Sequence, residues 1–416
     1  MKKYVELYNT IRKEIEQHQL KPGDKIPSIR KASEIYNVSI TTIQNAYFDL
    51  CTDGYIASID KSGYFVTDIA AKAIDSSEKA DDTEMLFDLT GGIADEECFD
   101  LSLWQRYIKS ALRQKNRLLS YSSAQGESDL REAIAEYIYE KRNVVTSADR
   151  IIVAAGVQPL LQILCSLIDK KQSVSFPDSS FTQGIKVFRD YGFDVHTRDK
   201  DANIIYVSPS HMTSWGNVMP TKRRLELVSY SQKNNSLVIE DDYENEFLYN
   251  SKPTPSLYAL GKDNVIYLGS FSAMLLPAIR ISFMVLTREL ADTFKSNEET
   301  YAQTASLTEQ IALCNFIRDG HIYSQTRKIR RLYTAKTKLF YNKLKAALPC
   351  LDARISENSL QVIVNTKKPH TEAEFEKHGI KVYMPDENTI VFSPVGIKTE
   401  KFDELINILN VNIFLK

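Results

Sequence analysis

From residue 88 to the end, the chain repeats one pattern: a short run rich in β-branched residues, a few loop residues, then a longer amphipathic segment. The runs lie at 151–154, 173–176, 204–207, 237–239, 265–268 and 281–286. Strands alternating with helical segments predict an α/β domain with a largely parallel sheet. In such sheets ligands sit at the carboxyl ends of the strands, so the residues that follow each run are where chemistry is sought.

At 416 residues the chain exceeds one ordinary core, and two or three units are expected. It is 43% hydrophobic and 25% charged, as globular proteins are. No apolar run approaches the ~18 residues that a membrane span needs, and Met1-Lys2-Lys3-Tyr4-Val5-Glu6-Leu7 lacks a leader's apolar core, so a cytoplasmic protein without a membrane partner is expected. Cys51, Cys98, Cys165, Cys314 and Cys350 are scattered, with no CxxC and no histidine at metal spacing. Buried, reduced thiols are expected, with neither a disulfide frame nor a metal site. A net charge of −2 excludes coating nucleic acid through overall charge and leaves a local patch open.

The first 68 residues have helical periodicity. Tyr4, Leu7, Tyr8, Ile11 and Ile15 mark one amphipathic helix, stopped by Lys21-Pro22-Gly23-Asp24. A short second helix follows Pro27-Ser28, with Ile29, Ala32 and Ile35 inward. A third follows Ser39, a natural N-cap, and buries Ile43, Ala46, Tyr47 and Leu50. That leaves Thr41, Gln44 and Asn45 outward with Thr42 beside them, polar groups suited to base edges and phosphates. Gly54 ends the helix, and residues 55–59 and 64–66, joined through Asp60-Lys61-Ser62-Gly63, form a hairpin. The sum is a winged helix, although any three-helix core gives similar spacing.

The set Pro22-Gly23-Asp24, Pro27-Ser28-Ile29-Arg30, Val38-Ser39, Thr41-Thr42, Ala46-Tyr47, Leu50, Gly54-Tyr55-Ile56 and Gly63-Tyr64-Phe65-Val66 closely resembles the DNA-binding domain of the GntR family of bacterial regulators. The resemblance implies an operator of double-stranded DNA touched by Arg30, Thr41, Thr42 and Gln44, with Ser39 at the helix start and Gly63 letting the wing approach the minor groove. Residues 1–68 balance nine Lys/Arg against nine Asp/Glu, so affinity must come from the cluster Lys25, Arg30, Lys31 and Lys61, and from two half-sites joined by dimerisation. Ile40 stands where relatives can carry a basic side chain.

Residues 69–87, with five acidic and two basic side chains and neither Gly nor Pro, read as an exposed linker between a domain at 1–68 and one at 88–416.

Within the larger domain, Ala154-Ala155-Gly156-Val157-Gln158 ends a strand and opens a helix; its free amides suit a phosphate, and equally serve as plain strand-to-helix punctuation. Phe181, after Asp178-Ser179-Ser180, either stacks on a flat heterocycle or packs in the core. His211, after Pro209-Ser210, is a ligand contact or a structural histidine. Glu240-Asp241-Asp242-Tyr243 places three carboxylates and a phenol at a strand's carboxyl edge; a carboxylate there can hold a pyridine nitrogen and the phenol a ring hydroxyl, with Mg²⁺ as the competing occupant. Ser270 and Arg280 together suit a phosphate.

These motifs, with Tyr121, Gly126-Glu127-Ser128-Asp129-Leu130-Arg131, Asp319-Gly320-His321 and Arg330-Arg331-Leu332-Tyr333, resemble in order and spacing the MocR (GabR-type) regulators, a GntR winged helix fused to a fold-type I aminotransferase-like domain. The resemblance implies an α/β pyridoxal 5′-phosphate-dependent transferase fold with a small α+β subdomain at about residues 290–416. It implies cofactor contacts from Asp241 to the pyridine nitrogen and Tyr243 to the 3-hydroxyl, a stacking Phe181, and His211 nearby. Gly156, Val157, Gln158, Ser270 and Arg280 would hold the phosphate, with Tyr121 reaching it from the neighbouring subunit of a head-to-tail homodimer.

Two departures bear on mechanism. Ala273 stands where the Schiff-base lysine belongs, so cofactor binding would be noncovalent and turnover would stop. No arginine follows Arg354, although aminotransferases commonly clamp a carboxylate with a late arginine. Natural drift accounts for both and a laboratory lysine replacement for the first alone, but a regulator sensing pyridoxal phosphate itself needs no carboxylate arginine, so both origins of Ala273 stay open. The expectation is a transcriptional regulator, not an enzyme, sensing pyridoxal phosphate or a related small-molecule effector. The alternatives are an aminotransferase with an accessory DNA-binding domain, and a regulator whose large domain only dimerises.

Overall fold

A computed structural model describes residues 3–68, 86–210, 217–243, 245, 254–261, 264–357 and 360–414. The chain forms two compact units, Met1–Asp82 and Thr83–Lys416.

The first unit runs α1 (Lys3–Glu16), β1 (Lys25–Ile26), α2 (Ile29–Ile35), α3 (Ile40–Thr52), β2 (Ile56–Ile59) and β3 (Gly63–Val66). Leu7, Ile11 and Ile15 meet Ala32, Ile43, Ala46, Tyr47 and Leu50 in a core closed by Ile26, Ile56 and Val66. Ser39 caps α3, its hydroxyl accepting from the Thr42 amide at 3.3 Å and satisfying a donor that the first turn leaves open. The wing has three strands because Ile26, ahead of Pro27, is held extended, and β1 then pairs antiparallel with β3, Ile26 opposite Tyr64. Ile35, expected inward, is 56% exposed: Ala32 is the buried residue of the two-turn α2, and Tyr36 and Val38 pack on the core in its place.

The second unit opens on β4 (Phe87–Asp88). Its main sheet contains β5 (Ile151–Ala154), β6 (Ser173–Phe176), β7 (Asp194–Thr197), β8 (Ile204–Val207), β9 (Leu237–Asp241), β10 (Val265–Ser270) and β11 (Ser282–Val285), in the order β5-β11-β10-β9-β8-β6-β7. All six anticipated runs are strands, and β11 alone runs antiparallel to its neighbours. The seventh, β7, is an exposed edge whose sequence Asp-Val-His-Thr has no apolar run to betray it. Alternate residues feed two layers. Val153, Val238, Tyr267 and Phe283 face a layer with helices Ser128–Arg142 and Leu307–Arg318. Ile152, Ile239, Leu268 and Met284 face a layer with helices Val157–Leu167 and Thr182–Asp190.

Helix His321–Ala347 packs its first turns, at Ile322 and Ile329, in the first of these layers and its last, at Phe340 and Leu344, in a separate C-terminal core. That core lies on a four-stranded antiparallel sheet of β12 (Asp352–Ile355), β13 (Val362–Asn365), β15 (Tyr383–Asp386) and β16 (Thr389–Phe392), with β14 (Ile380–Lys381) pairing parallel with β4. Two boundaries move accordingly. Residues 307–333 belong with the main sheet, so the C-terminal layer starts later than residue 290. Phe87, placed in the linker by its sequence, is 1% exposed in the C-terminal core, since an aromatic strand residue next to a sheet edge is worth more buried; residues 69–85 of that linker lie outside the described residues. Cys98, Cys165 and Cys314 are buried thiols, while Cys350, expected buried, is exposed at the turn after the long helix. Among the described residues no helix is long and apolar enough to cross a membrane.

Candidate functional site

In the first unit, Thr41, Gln44 and Asn45 are exposed along α3. Thr42 is half-buried, its hydroxyl 2.8 Å from that of Ser39, so this pair shapes the helix start. Tyr47 donates to the Pro27 carbonyl at 2.9 Å and ties α3 to the turn that precedes α2, on which Arg30 is exposed. Lys25 lies over Gly63 at the wing: at φ +112° Gly63 has a conformation that side chains disfavour, and a Cβ there would sit 3.2 Å from Lys25 Cε.

In the second unit, Val157, Phe176, Phe181, Tyr206, Asp241, Tyr243, Ser270, Ser272, Ala273 and Tyr383 line a cavity of about 490 Å³. Strand alternation explains which carboxylate reaches it. Asp241 continues the side of Ile239, where Tyr206 donates to its Oδ2 at 2.5 Å. Burial, reinforced by the Asp241 charge, pushes the Tyr206 phenol well above its ordinary range and keeps it a donor. Phe176 stacks on Tyr206 with ring centres 4.8 Å apart, and Phe181 lies 5.5 Å from it at a tilt, which makes an aromatic wall beside Asp241.

Glu240 and Asp242 point the other way. Asp242 accepts from Arg142 Nε and Nη2 at 2.6 and 3.0 Å and from the Tyr267 hydroxyl at 2.8 Å. Glu240 accepts from the amides of Leu257 and Tyr258, both at 2.8 Å, at the start of helix Leu257–Leu260. Burial, then the neighbouring Asp242 charge, pushes the Glu240 carboxyl up to about 7. Three acids adjacent in sequence are thus divided between two faces, an arrangement unsuited to sharing one Mg²⁺ ion. Among the described residues no group of three His, Cys, Asp or Glu is placed to hold a metal.

Gly156 caps helix Val157–Leu167 at φ +97°, and a Cβ there would sit 2.7 Å from Arg280 Nη2, so glycine is what lets the guanidinium lie against the helix start. Arg280 is itself left-handed at φ 52°. Ser270 accepts from the Ser282 hydroxyl at 3.0 Å and from the Ser272 amide at 3.3 Å. The structure therefore gathers Val157, Phe181, Asp241, Tyr243, Ser270 and Ala273 around one space, with Gly156 and Arg280 meeting each other. Gln158 is exposed in the helix's first turn, and Tyr121 is fully exposed; neither lines the cavity within one chain. His211 lies outside the described residues.

Sequence reasoning missed Tyr206 and Tyr383. A tyrosine inside the apolar run of β8 was the available signal for the first, since a buried hydroxyl needs an acceptor. Tyr383 had none, because only the tertiary fold brings β15 to this cavity.

The family model described as "Bacterial regulatory proteins, gntR family" matches residues 3–66, and that for "Aminotransferase class I and II" matches 98–203 and 196–401. The chain is 31% identical over 408 residues to the HTH-type transcriptional regulator YdeL of Bacillus subtilis, covering 91% of this chain and 88% of that one. It is 29% identical over 373 residues to the probable rhizopine catabolism regulatory protein MocR of Rhizobium meliloti (80% and 76% covered). It is 26% identical over 381 residues to the pyridoxine biosynthesis transcriptional regulator PdxR of Corynebacterium glutamicum (88% and 83% covered). Its fold matches Pyrococcus horikoshii kynurenine aminotransferase with a TM-score of 0.69 at 18% identity, over 80% of this chain and 91% of that one. With a winged helix at one end and a fold-type I aminotransferase domain making up the rest, the chain belongs to the MocR-type transcriptional regulators of the GntR class.

Proposed function

We propose that this chain is a homodimeric, cytoplasmic regulator that binds operator DNA through α3 and the wing, and holds pyridoxal 5′-phosphate or a related small molecule noncovalently, without turning over amino acids. The observation that carries this is the methyl group of Ala273 in the wall of a cavity that keeps Asp241, Tyr243, Phe181 and Ser270; among the described residues no lysine lines it. The residues fit the cofactor: an acid braced by Tyr206, an aromatic wall, and a helix start that only a glycine leaves open to Arg280. When bound, the cofactor would supply an electron-poor ring and a phosphate as handles. Asp241 would hold the ring nitrogen, Tyr243 the 3-hydroxyl, and Phe181 the ring face. Gly156, Val157, Gln158, Ser270 and Arg280 would hold the phosphate, with the exposed Tyr121 reaching over from the neighbouring subunit. Ala273 is in the position of the linking lysine, so the domain keeps the binding contacts and lacks the amine. A ligand there would act by favouring one placement of the two winged helices over another. The similarity to a regulator named for pyridoxine biosynthesis supports a vitamer as the effector.

The test is an absorption spectrum with added pyridoxal phosphate, for the chain and for Ala273→Lys, after removal of free cofactor. The chain should retain cofactor with the band of a free aldehyde, and only the lysine variant should develop the band of a linked one. Retention by neither would overturn the cofactor-sensing assignment and leave a dimerisation scaffold.

A further inference from the structure

On the outward face of α3, among polar residues, two large apolar side chains meet solvent. Phe48 is 70% exposed and Ile40 is 48% exposed. Ile40, Gln44 and Phe48 follow at steps of four and so form one stripe along the helix, while Ile43, Ala46, Tyr47 and Leu50 take the core. Neither Ile40 nor Phe48 belongs to the core of its own unit. The thirteen residues of α3, ITTIQNAYFDLCT, contain no lysine or arginine, the side chains that read the O6 and N7 acceptors of guanine. What α3 does offer a major groove are the Gln44 and Asn45 amides, which match the N6 and N7 of adenine, the Thr41 hydroxyl, which fits either base, and apolar groups, which match the C5-methyl of thymine.

We propose that α3 reads an A·T core in each operator half-site, Gln44 through adenine and Ile40, with Phe48 behind it, through thymine methyl groups. This rests on the DNA-binding assignment above. The exposed Arg30 and the lysines at 25, 31 and 61 are then left to the phosphates, where they carry affinity and no sequence information. A protein partner is the other candidate for an apolar stripe. It is disfavoured because on α3 Gln44 interrupts the stripe and exposed Thr41 and Asn45 flank it.

The test uses the full-length chain. A half-site sequence is selected from a pool of random duplexes, and each thymine in it is then replaced by deoxyuridine, which removes only the C5-methyl. The expected result is an A·T core in each half-site, with deoxyuridine at one or two thymines weakening binding about fivefold. Ile40→Ala should bind both versions alike, and Gln44→Ala should relax the preference at one base pair. A guanine–cytosine core overturns the proposal while leaving DNA binding intact, as does deoxyuridine sensitivity unchanged in both Ile40→Ala and Phe48→Ala. Loss of self-association in Phe48→Ala with unchanged base preference assigns the stripe to a protein contact and also overturns it. Failure of the wild type to bind any duplex removes the DNA-binding assignment itself. Both apolar residues are exposed, so their alanine variants leave the core of the unit intact.

Discussion

Thr41, Gln44, Asn45 and Phe48 come from two turns of one helix, whereas the cavity around Ala273 collects Val157 from a helix start, Tyr206, Asp241 and Ser270 from three strands, and Tyr383 from the C-terminal sheet. The first face is a property of local structure: the positions that α3 does not bury are the positions it displays. The second exists only once the sheet has formed, and its central acid is backed by a buried layer in which Glu240 and Asp242 are paired elsewhere. A change on the outside of α3 should therefore alter recognition and little else. A change in the layer behind Asp241 should alter stability and ligand binding together.

Asp242→Ala is the severest way to probe that coupling. The Asp242 side chain is fully buried and that of Arg142 is only 12% exposed, so removing the carboxylate strands a guanidinium in the interior. Breaking a buried pair from one side costs about 3–5 kcal/mol. Urea unfolding of the full chain should report a loss of that order in the transition of the second unit, with weaker retention of pyridoxal phosphate. A loss no larger than that of Gln44→Ala would break the contrast between the two regions.

Glu240→Gln should have a smaller effect that depends on pH. The folded carboxyl titrates near 7 against an ordinary value of 4.5, so between those values the native state holds a proton that the unfolded chain has released. The resulting stability is fully present below about 4.5 and is lost as the pH rises through 7. Glutamine does not titrate. From pH 5 to pH 8 the variant should gain on the wild type by on the order of 2 kcal/mol, read as the difference between their urea midpoints. A difference that stays flat with pH would mean that Glu240 is ionised throughout.

The same contrast governs how much could be seen in the sequence. The face of α3 was legible residue by residue, because Ser39, the inward set Ile43, Ala46, Tyr47 and Leu50, and helical spacing leave few choices. The main strands were legible from their apolar runs, and Asp241 from its place at the end of one. What sequence could not supply were matters of partnership. Strand alternation turns Glu240 and Asp242 away from Asp241, but nothing local says that they meet Leu257 and Arg142, or that Tyr206 serves as the donor to Asp241. The polar edge strand β7 is likewise set by its pairing with β6, and the burial of Phe87 by the distant C-terminal layer in which it faces Ile380.

Ser39→Ala marks the small end of the series. Ser39 accepts from the Thr42 amide, and replacing such a cap by alanine costs about 1 kcal/mol of local helix stability. Because the hydroxyl also meets that of Thr42, the substitution frees Thr42 as well as fraying the first turn. Hydrogen exchange on the full chain should show faster exchange in the first turns of α3, and no change in β9 or β10 of the second unit. If exchange rose in those strands too, the face of α3 would not be a property of local structure. If it rose in α3 alone, the weakened operator binding that accompanies it would be traceable to the order of one helical turn, with Gln44 and Ile40 chemically untouched.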